Sequence, residues 1–389
     1  MEFPSPPERV DTVSPSELRR RIDDGEQVTL LDTRLPEAHE AWQISGDTVR
    51  MINAPYPAFQ GTEVDSDVLD RIPSDCLVTA VCAIGKSSEY VAGVLAERGY
   101  EVEHLADGME GWARVYDAVE VSRYDGPGRV WQYVRPSSGC LGYLVVDDGE
   151  AAVVDPLRAF TTRYVVDAAE RGAELTHAID THVHADHVSG VRRLAGDGAE
   201  GVMPAAATGR GLIDPDELRL LSDGDRLRVG RVPVVAVHAP GHTSGMTALR
   251  VGEQLLLTGD GLFIESVARP DLEAGQETTS AARRLHASLD DLLALPDETL
   301  VCPGHRGETT DPAPDGTYTA RLGELRDREV LSLSREAFIE TLHEDVPPRP
   351  ANHEAIVATN LGQRHPDDEE AFELELGPNN CAAAPSDAD

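Results

Sequence analysis

Between Thr181 and Gly190 the chain reads THVHADHVSG, placing His182, His184, Asp186 and His187 within six residues. The segment follows the apolar run LTHAID, so the pattern predicts a strand that opens into a loop of imidazoles and a carboxylate. Three later apolar runs end the same way: VPVVAVHAPGHTSG delivers His242, QLLLTGDGLF delivers Asp260, and ETLVCPGH delivers His305. A glycine precedes each of these three residues, permitting tight turns and close backbone approach. A lone histidine is ordinarily a solvated or hydrogen-bonded group. Seven ligand-capable side chains, each following an apolar run, instead require a fold in which several strand ends meet at a metal. Imidazole and carboxylate suit zinc, manganese and iron alike, so the residues leave the metal's identity open.

The His-x-His-x-Asp-His cluster with the later Gly-His, Gly-Asp and Gly-His elements resembles the metallo-β-lactamase superfamily over about residues 130–310. That resemblance implies an α+β, four-layer αββα sandwich. In dinuclear members such as glyoxalase II, it implies that His182, His184 and His242 hold one metal. Asp186, His187 and His305 would hold the second, with Asp260 bridging. THVHADHVSG, APGHTSG, LTGDGLF and VARPDLEAG are most similar to the persulfide dioxygenase branch, which implies a single Fe(II) on His182, His242 and Asp260. His184, Asp186, His187 and His305 would then orient ligands and tune their basicity, with Asp186 also in a catalytic role. Arg269 and Asp271 lie in the motif that follows Asp260 in that branch, and a substrate contact is expected of Arg269. Here Ala268-Arg269-Pro270-Asp271 stands where glycine-arginine-threonine-aspartate is usual.

Upstream, from about Ser14 to Tyr124, short apolar runs alternate with helical segments, which predicts an α/β unit with a parallel sheet. SPSELRRRIDDG reads as a helix capped by Ser14 with Pro15 at its first position. VTLLDTR and LVTAVCAIG read as buried strands, the second followed by a helix over Ser87–Arg98. Cys82 lies at the end of that second run. The N-terminal amides of the helix and the charge of Lys86, the only lysine in the chain, would stabilise a thiolate or bound anion there. LLDTR, VCAIGKSS and LADGMEGW make this unit resemble a rhodanese domain over about residues 14–120. The resemblance implies that Cys82 carries persulfide sulfur, with Lys86 assisting and Gly85 and Ser87 lining the substrate loop. Ser87 occupies the position usually held by arginine, which removes a fork-shaped donor for the sulfonate of thiosulfate. Asp107 replaces the first glycine of the LADGMEGW turn, and Asp32 and Arg34 read as loop-fixing residues.

The expected domains are 12–125, 130–310 and a C-terminal helical extension over 311–389, with the linker RYDGPGR between the first two. LSREAFIETLHED and PPRPANHEAIVATNLG predict helices in the extension, and the end beyond Cys381 reads as a frayed tail. Lys+Arg number 34 against 70 Asp+Glu, a formal charge of −36. That excess disfavours general binding to nucleic acid or an anionic membrane, and no arginine-rich cluster near the metal loops supports a nuclease. The lysine-poor, acidic composition resembles that of proteins from salt-loving microbes. Five scattered cysteines do not make a disulfide scaffold. With neither a signal segment nor a long apolar run, a cytoplasmic protein is expected.

Together the resemblances imply a sulfur enzyme: Cys82 passes sulfane sulfur to a small thiol, and the resulting persulfide reacts with O2 at Fe(II) to give sulfite and free thiol. Transfer in reverse, with sulfite captured on Cys82 persulfide as thiosulfate, is equally allowed. One alternative is a glyoxalase II-like thioester hydrolase with one or two Zn(II); another is a non-enzymatic sulfur or metal sensor. The expected assembly is a homo-oligomer.

Overall fold

The computed structural model describes residues 5–60, 64–273, 275–307, 309–344, 348–377 and 381. The expected frayed tail lies outside the described residues. The chain divides into two compact units, the first running to Tyr116 with Arg135–Ser138 added, the second comprising Asp117–Val134 and the chain from Gly139.

In the first unit, strands β1 (Asp11–Val13), β2 (Val28–Asp32), β3 (Val49–Asn53), β4 (Val78–Val81) and β5 (Val102–Leu105) form one sheet. Its order is β1-β5-β4-β2-β3 and every pairing is parallel. Strands covered on both faces read as continuous apolar runs, which is why VTLL and VTAV show no alternation. Leu30, Val81 and Leu105 pack on one side with Met109 and Trp112, while Leu31, Val78 and Ile52 pack on the other with Val91 and Leu95. Parallel pairing puts the carboxyl ends of β2 and β4 side by side, so Asp32 and the loop starting at Cys82 emerge together. The helix after Cys82 is Lys86–Ala96.

The second unit contains two sheets. One has seven strands: β6 (Asp117–Glu120), β7 (Arg129–Val134), β8 (Leu141–Asp147), β9 (Glu150–Val154), β10 (Glu174–Ile179), β11 (Glu200–Pro204) and β12 (Arg219–Leu221). The other has six: β13 (Arg226–Val229), β14 (Val232–His238), β15 (Thr247–Val251), β16 (Leu255–Gly259), β17 (Leu300–Pro303) and β18 (Ala320–Arg321). The Asp148-Gly149 turn joins β8 to β9 with Asp148 at φ 50° and Gly149 at φ 82°. Leu141, Tyr143, Val145 and Val154 of the first sheet share a core with Val229, Val234, Leu249, Leu257 and Leu300 of the second. Helices Thr161–Glu170 and Val191–Gly196 pack on the first sheet and Thr278–Leu293 on the second, completing the αββα layers.

The helix expected to begin at His187 starts instead at Val191. Backbone groups after His187 are used elsewhere: Ser189 bridges to Leu157, and Gly190 N donates to Pro156 O at 2.6 Å. The extension contains helices Arg335–Glu344 and His353–Asn360, and a further one, Asp368–Leu374, that was not expected. Among the described residues no helix is long and apolar enough to cross a membrane.

Candidate metal centre and cysteine loop

The seven ligand-capable side chains of the second unit follow strand ends. β10 stops at Ile179 shortly before His182, β16 stops at Gly259 immediately before Asp260, and β17 stops at Pro303 two residues before His305. Parallel pairing sets Gly259 opposite Pro303, which brings Asp260 and His305 together. Gly259 has φ 48°, and a Cβ there would lie 2.5 Å from Thr181 Oγ1 and 2.4 Å from Met246 Cε. Both conditions call for glycine.

His182, His242 and Asp260 are 0%, 1% and 0% exposed. Asp260 Oδ2 lies 3.7 Å from His182 Nε2 and 3.6 Å from His242 Nε2. None of these three atoms has a hydrogen-bond partner among the described residues. A buried polar atom left without a partner costs about 1–3 kcal/mol, so three that converge on one point are explained by a cation between them. The opposite sides of the rings are fixed. Thr181 Oγ1 donates to Asp155 Oδ2 at 3.0 Å and so accepts from His182 Nδ1 at 2.9 Å. His242 Nδ1 donates to the Arg269 carbonyl at 3.0 Å. Each bond leaves the Nε2 lone pair directed inward, the outer-shell arrangement that holds metal-binding imidazoles. Burial pushes both imidazoles below their ordinary pKa, so they are neutral and able to ligate. Burial would raise Asp260, but the charge and hydrogen bond of His305 outweigh it and keep the carboxyl ionised. Two imidazoles and one carboxylate fit a divalent ion such as Fe(II) or Zn(II).

The remaining residues are tied to one another. Asp186 Oδ2 accepts from His187 Nδ1 and His305 Nε2, both at 3.1 Å, and from Cys140 Sγ at 3.4 Å. His305 uses its other nitrogen, Nδ1, on Asp260 Oδ1 at 2.7 Å. Against the effect of burial, Asp186 raises His187 well above the usual imidazole range, and Asp260 with Asp186 does the same for His305. His184 Nε2 meets Asp155 Oδ1 at 3.1 Å and lies 3.8 Å from Asp180 Oδ1, whose carboxyl burial raises to about 6. The other ring nitrogens, His184 Nδ1 and His187 Nε2, have no hydrogen-bond partner among the described residues.

Arg269 is 1% exposed. Its guanidinium binds Asp271 through Nε and Nη2 at 2.7 and 3.0 Å and the Pro348 carbonyl through Nη1 at 2.9 Å, and its own carbonyl accepts from His242. His238 is exposed and meets the Ser244 carbonyl at 2.9 Å.

In the first unit, Cys82 is 2% exposed and its Sγ accepts from Ser88 Oγ at 3.2 Å. Gly85, at φ 80°, turns the loop into the helix, whose first residue, Lys86, is exposed; Ser87 is half-buried. Met109 N and Glu110 N donate to the carbonyls of Cys82 and Ala83 at 2.8 and 3.0 Å. A Cβ at Gly108 would stand 2.1 Å from the Cys82 carbonyl oxygen, so that glycine is obligatory. Asp107 adopts φ 54° in place of the usual glycine, a conformation that Asp tolerates better than most residues. Asp32 accepts from Arg34 Nε at 3.0 Å and pairs with His39 Nδ1 at 2.9 Å.

Several residues here were missed in the sequence. Asp155 and Asp180 close the apolar runs AAVVD and LTHAID, so the strand-end pattern that exposed the seven ligand-capable residues would have found them. Cys140 bridges to His305 in the backbone, and its thiol lies at about 7: burial and Asp186 push it up, while His305 and His187 draw it down further. Cys381 joins Asp186, Asp260 and His305, with one ligand atom of each within 4.8 Å of the others. Nothing in their local sequence ties either thiol to the metal centre.

Comparison with known proteins gives two family matches: the metallo-beta-lactamase superfamily over residues 137–305 and the rhodanese-like domain over residues 14–115. The chain is 28% identical over 236 residues to persulfide dioxygenase ETHE1, mitochondrial, of Mus musculus, covering 59% of this chain and 86% of that one. It is 37% identical over 166 residues to hydroxyacylglutathione hydrolase of Cereibacter sphaeroides, covering 42% of this chain and 61% of that one. Among solved structures, ETHE1 from Myxococcus xanthus matches with a TM-score of 0.53 and 30% identity, over 60% of this chain and 98% of that one. A metallo-beta-lactamase from Staphylococcus aureus matches with a TM-score of 0.55 and 26% identity, over 60% and 72% of the respective chains.

Proposed function

The chain belongs to the metallo-beta-lactamase superfamily and carries a rhodanese-like domain, and from that premise we propose that it is a persulfide dioxygenase coupled to sulfur carriage at Cys82. The reaction is R–S–SH + O2 + H2O giving R–SH and sulfurous acid, which ionises to sulfite. The observation that carries this reading is the asymmetry of the metal site. His182 Nε2, His242 Nε2 and Asp260 Oδ2 lack hydrogen-bond partners among the described residues, whereas both nitrogens of His305 are taken by Asp260 and Asp186. That asymmetry favours one metal on His182, His242 and Asp260. Bound there, Fe(II) would supply the redox chemistry and the open positions that bring a persulfide and O2 together.

The chain's own residues prepare that site. Thr181 and the Arg269 carbonyl hold the two imidazoles with their lone pairs inward. Asp186 gathers the N–H groups of His187 and His305 on one oxygen, giving a buried network through which the sulfhydryl proton of R–S–SH can pass. In the first unit the Cys82 thiolate attacks the outer sulfur of a donor R–S–SH, forming Cys82–S–SH, and R–S⁻ leaves to take up a proton. Ser87 in place of arginine, with Ala83 and Ile84 exposed on the loop, favours a small-thiol persulfide over thiosulfate as that donor.

The test is oxygen uptake by anaerobically purified, Fe(II)-loaded protein on addition of a small-thiol persulfide. Stoichiometric uptake with sulfite formation supports the reading, and no uptake by folded, iron-loaded protein overturns it for that thiol. Thioester hydrolysis by a dinuclear zinc site is the second reading, favoured by the unpartnered His184 Nδ1 and His187 Nε2 and by the hydrolase relatives. It requires His305 to release its carboxylates, and zinc-loaded protein assayed with a glutathione thioester tests it.

A further inference from the structure

The loop carrying His182, His184 and His187 has almost no regular structure of its own, yet its residues from Thr181 to Val188 are buried. Buried backbone N–H and C=O groups need partners, and a loop without a ladder must find them elsewhere. Several come from the C-terminal extension. Asn360 is the last residue of the helix His353–Asn360 and is 4% exposed. Its Nδ2 donates to the His184 carbonyl at 3.0 Å and to the His187 carbonyl at 2.9 Å. Its Oδ1 accepts from Ser189 N at 2.8 Å. One side-chain amide thus satisfies three backbone groups spread over six loop residues, from His184 to Ser189. Glu375 Oε1 adds a fourth bond, accepting from Val188 N at 2.9 Å.

Apolar packing follows the same lines. Val188 packs with Ile356 and Ala371, and Ala185 with Leu272, Cys381 and Val357. The loop therefore carries His182 to the metal centre while its Ala185 and Val188 pack against residues of the C-terminal extension. Gly362, at φ 77°, ends the helix cleanly just beyond Asn360, where Gly362 N bonds to the Thr359 carbonyl at 2.9 Å.

We propose that Asn360 is a positioning residue for the metal centre, its amide clamping the His184 and His187 carbonyls and the Ser189 N–H so that the loop keeps ligand geometry before a metal arrives. The proposal rests only on the metal-binding part of the functional reading, and holds for a dioxygenase or a hydrolase. Only a carboxamide offers two donors and one acceptor in this shape, and Gln would carry it one methylene farther from the backbone. Asp keeps the acceptor for Ser189 but sets a second oxygen against two carbonyls, and Ala leaves all three groups unpaired.

The experiment measures metal affinity by competition with a chelator, using Fe(II) or Co(II), on full-length wild type, N360A, N360D and Q363A. Gln363 anchors the same segment to the carbonyls of Arg210 and Gly211 and makes no hydrogen bond to the metal loop. The expected result is affinity reduced about 10–100-fold in N360A and N360D, the range for lost outer-shell partners, with Q363A unchanged. The visible spectrum of the Co(II) form should also shift in N360D. Wild-type affinity retained by both Asn360 variants overturns the proposal. A wild type that binds no metal overturns the functional reading instead. Should both variants fail to fold, hydrogen exchange of the metal-free wild type decides. The Ser189 amide should then exchange as slowly as amides of the His353–Asn360 helix, and exchange orders of magnitude faster overturns the clamp.

Discussion

Asp260 divides its two oxygens between two tasks: Oδ2 faces His182 and His242, while Oδ1 accepts from His305. D260N should therefore purify folded but with metal content reduced at least tenfold, read by elemental analysis beside the circular dichroism spectrum. Full occupancy in D260N would place the metal elsewhere. In the first unit, C82S should abolish sulfur transfer from persulfide donors while oxygen uptake with a supplied small-thiol persulfide continues. S87R restores the fork-shaped donor and should raise thiosulfate turnover several-fold over wild type. Asp32 gives the pH-dependent case. Burial pushes its carboxyl up, but the hydrogen bonds and charge of Arg34 hold it below its ordinary value of 3.8. Its contribution is complete above that value and disappears as pH falls through the lower, folded value. D32N should accordingly cost about 3 kcal/mol at pH 7, as expected for a broken buried pair, and progressively less below pH ~4. Urea unfolding at the two pH values measures the difference, and a penalty unchanged with pH would remove Arg34 as the cause.

At the scale of elements, the sequence was most legible where local pattern and final geometry coincide. Apolar runs that stop at a ligand-capable residue did become the strands before His182, Asp260 and His305; β16 and β17 are buried along their whole length, and such a strand needs only its own residues to announce itself. His187 shows the limit. Its local sequence suits a helix, but the bonds of Ser189 and Gly190 to the loop after β9 take the backbone elsewhere, and that competition is tertiary. Asn360 was illegible for the same reason: its partners lie more than 170 residues away. Gly241 is a related case, since a Cβ there would stand 2.4 Å from Leu285 Cα in the helix Thr278–Leu293. G241A should push that helix from the loop before His242, lowering stability by about 2 kcal/mol and weakening metal retention. Thermal unfolding with and without metal reads both effects, and a variant unchanged in both would mean that the helix and loop can separate freely.

For the whole molecule, the governing quantity is the formal charge of −36. Many acidic residues do have arginine partners, but exposed pairs such as Arg129–Glu120 contribute little each. The unpaired excess repels itself in the compact state more than in the unfolded chain, and salt shortens the reach of that repulsion to roughly 3 Å at 1 M. Raising NaCl from 0.1 to 1 M should therefore raise the unfolding temperature by several degrees. Calorimetry gives the answer directly, and a flat or falling profile would mean that local ion pairs outweigh the net charge. None of this bears on which reaction the metal centre performs: charge sets the solvent the fold tolerates, and a handful of strand-end side chains set the chemistry.

The exposed Lys86, which opens the helix beyond Cys82, has a practical corollary. Because no other lysine exists in the chain, an amine-directed dye has one side-chain address, four residues from the Cys82 thiol. The native protein thus comes with a built-in site for a fluorescent reporter. Its emission would test the proposed sulfur carriage at Cys82 in real time, without an engineered tag or a substituted residue.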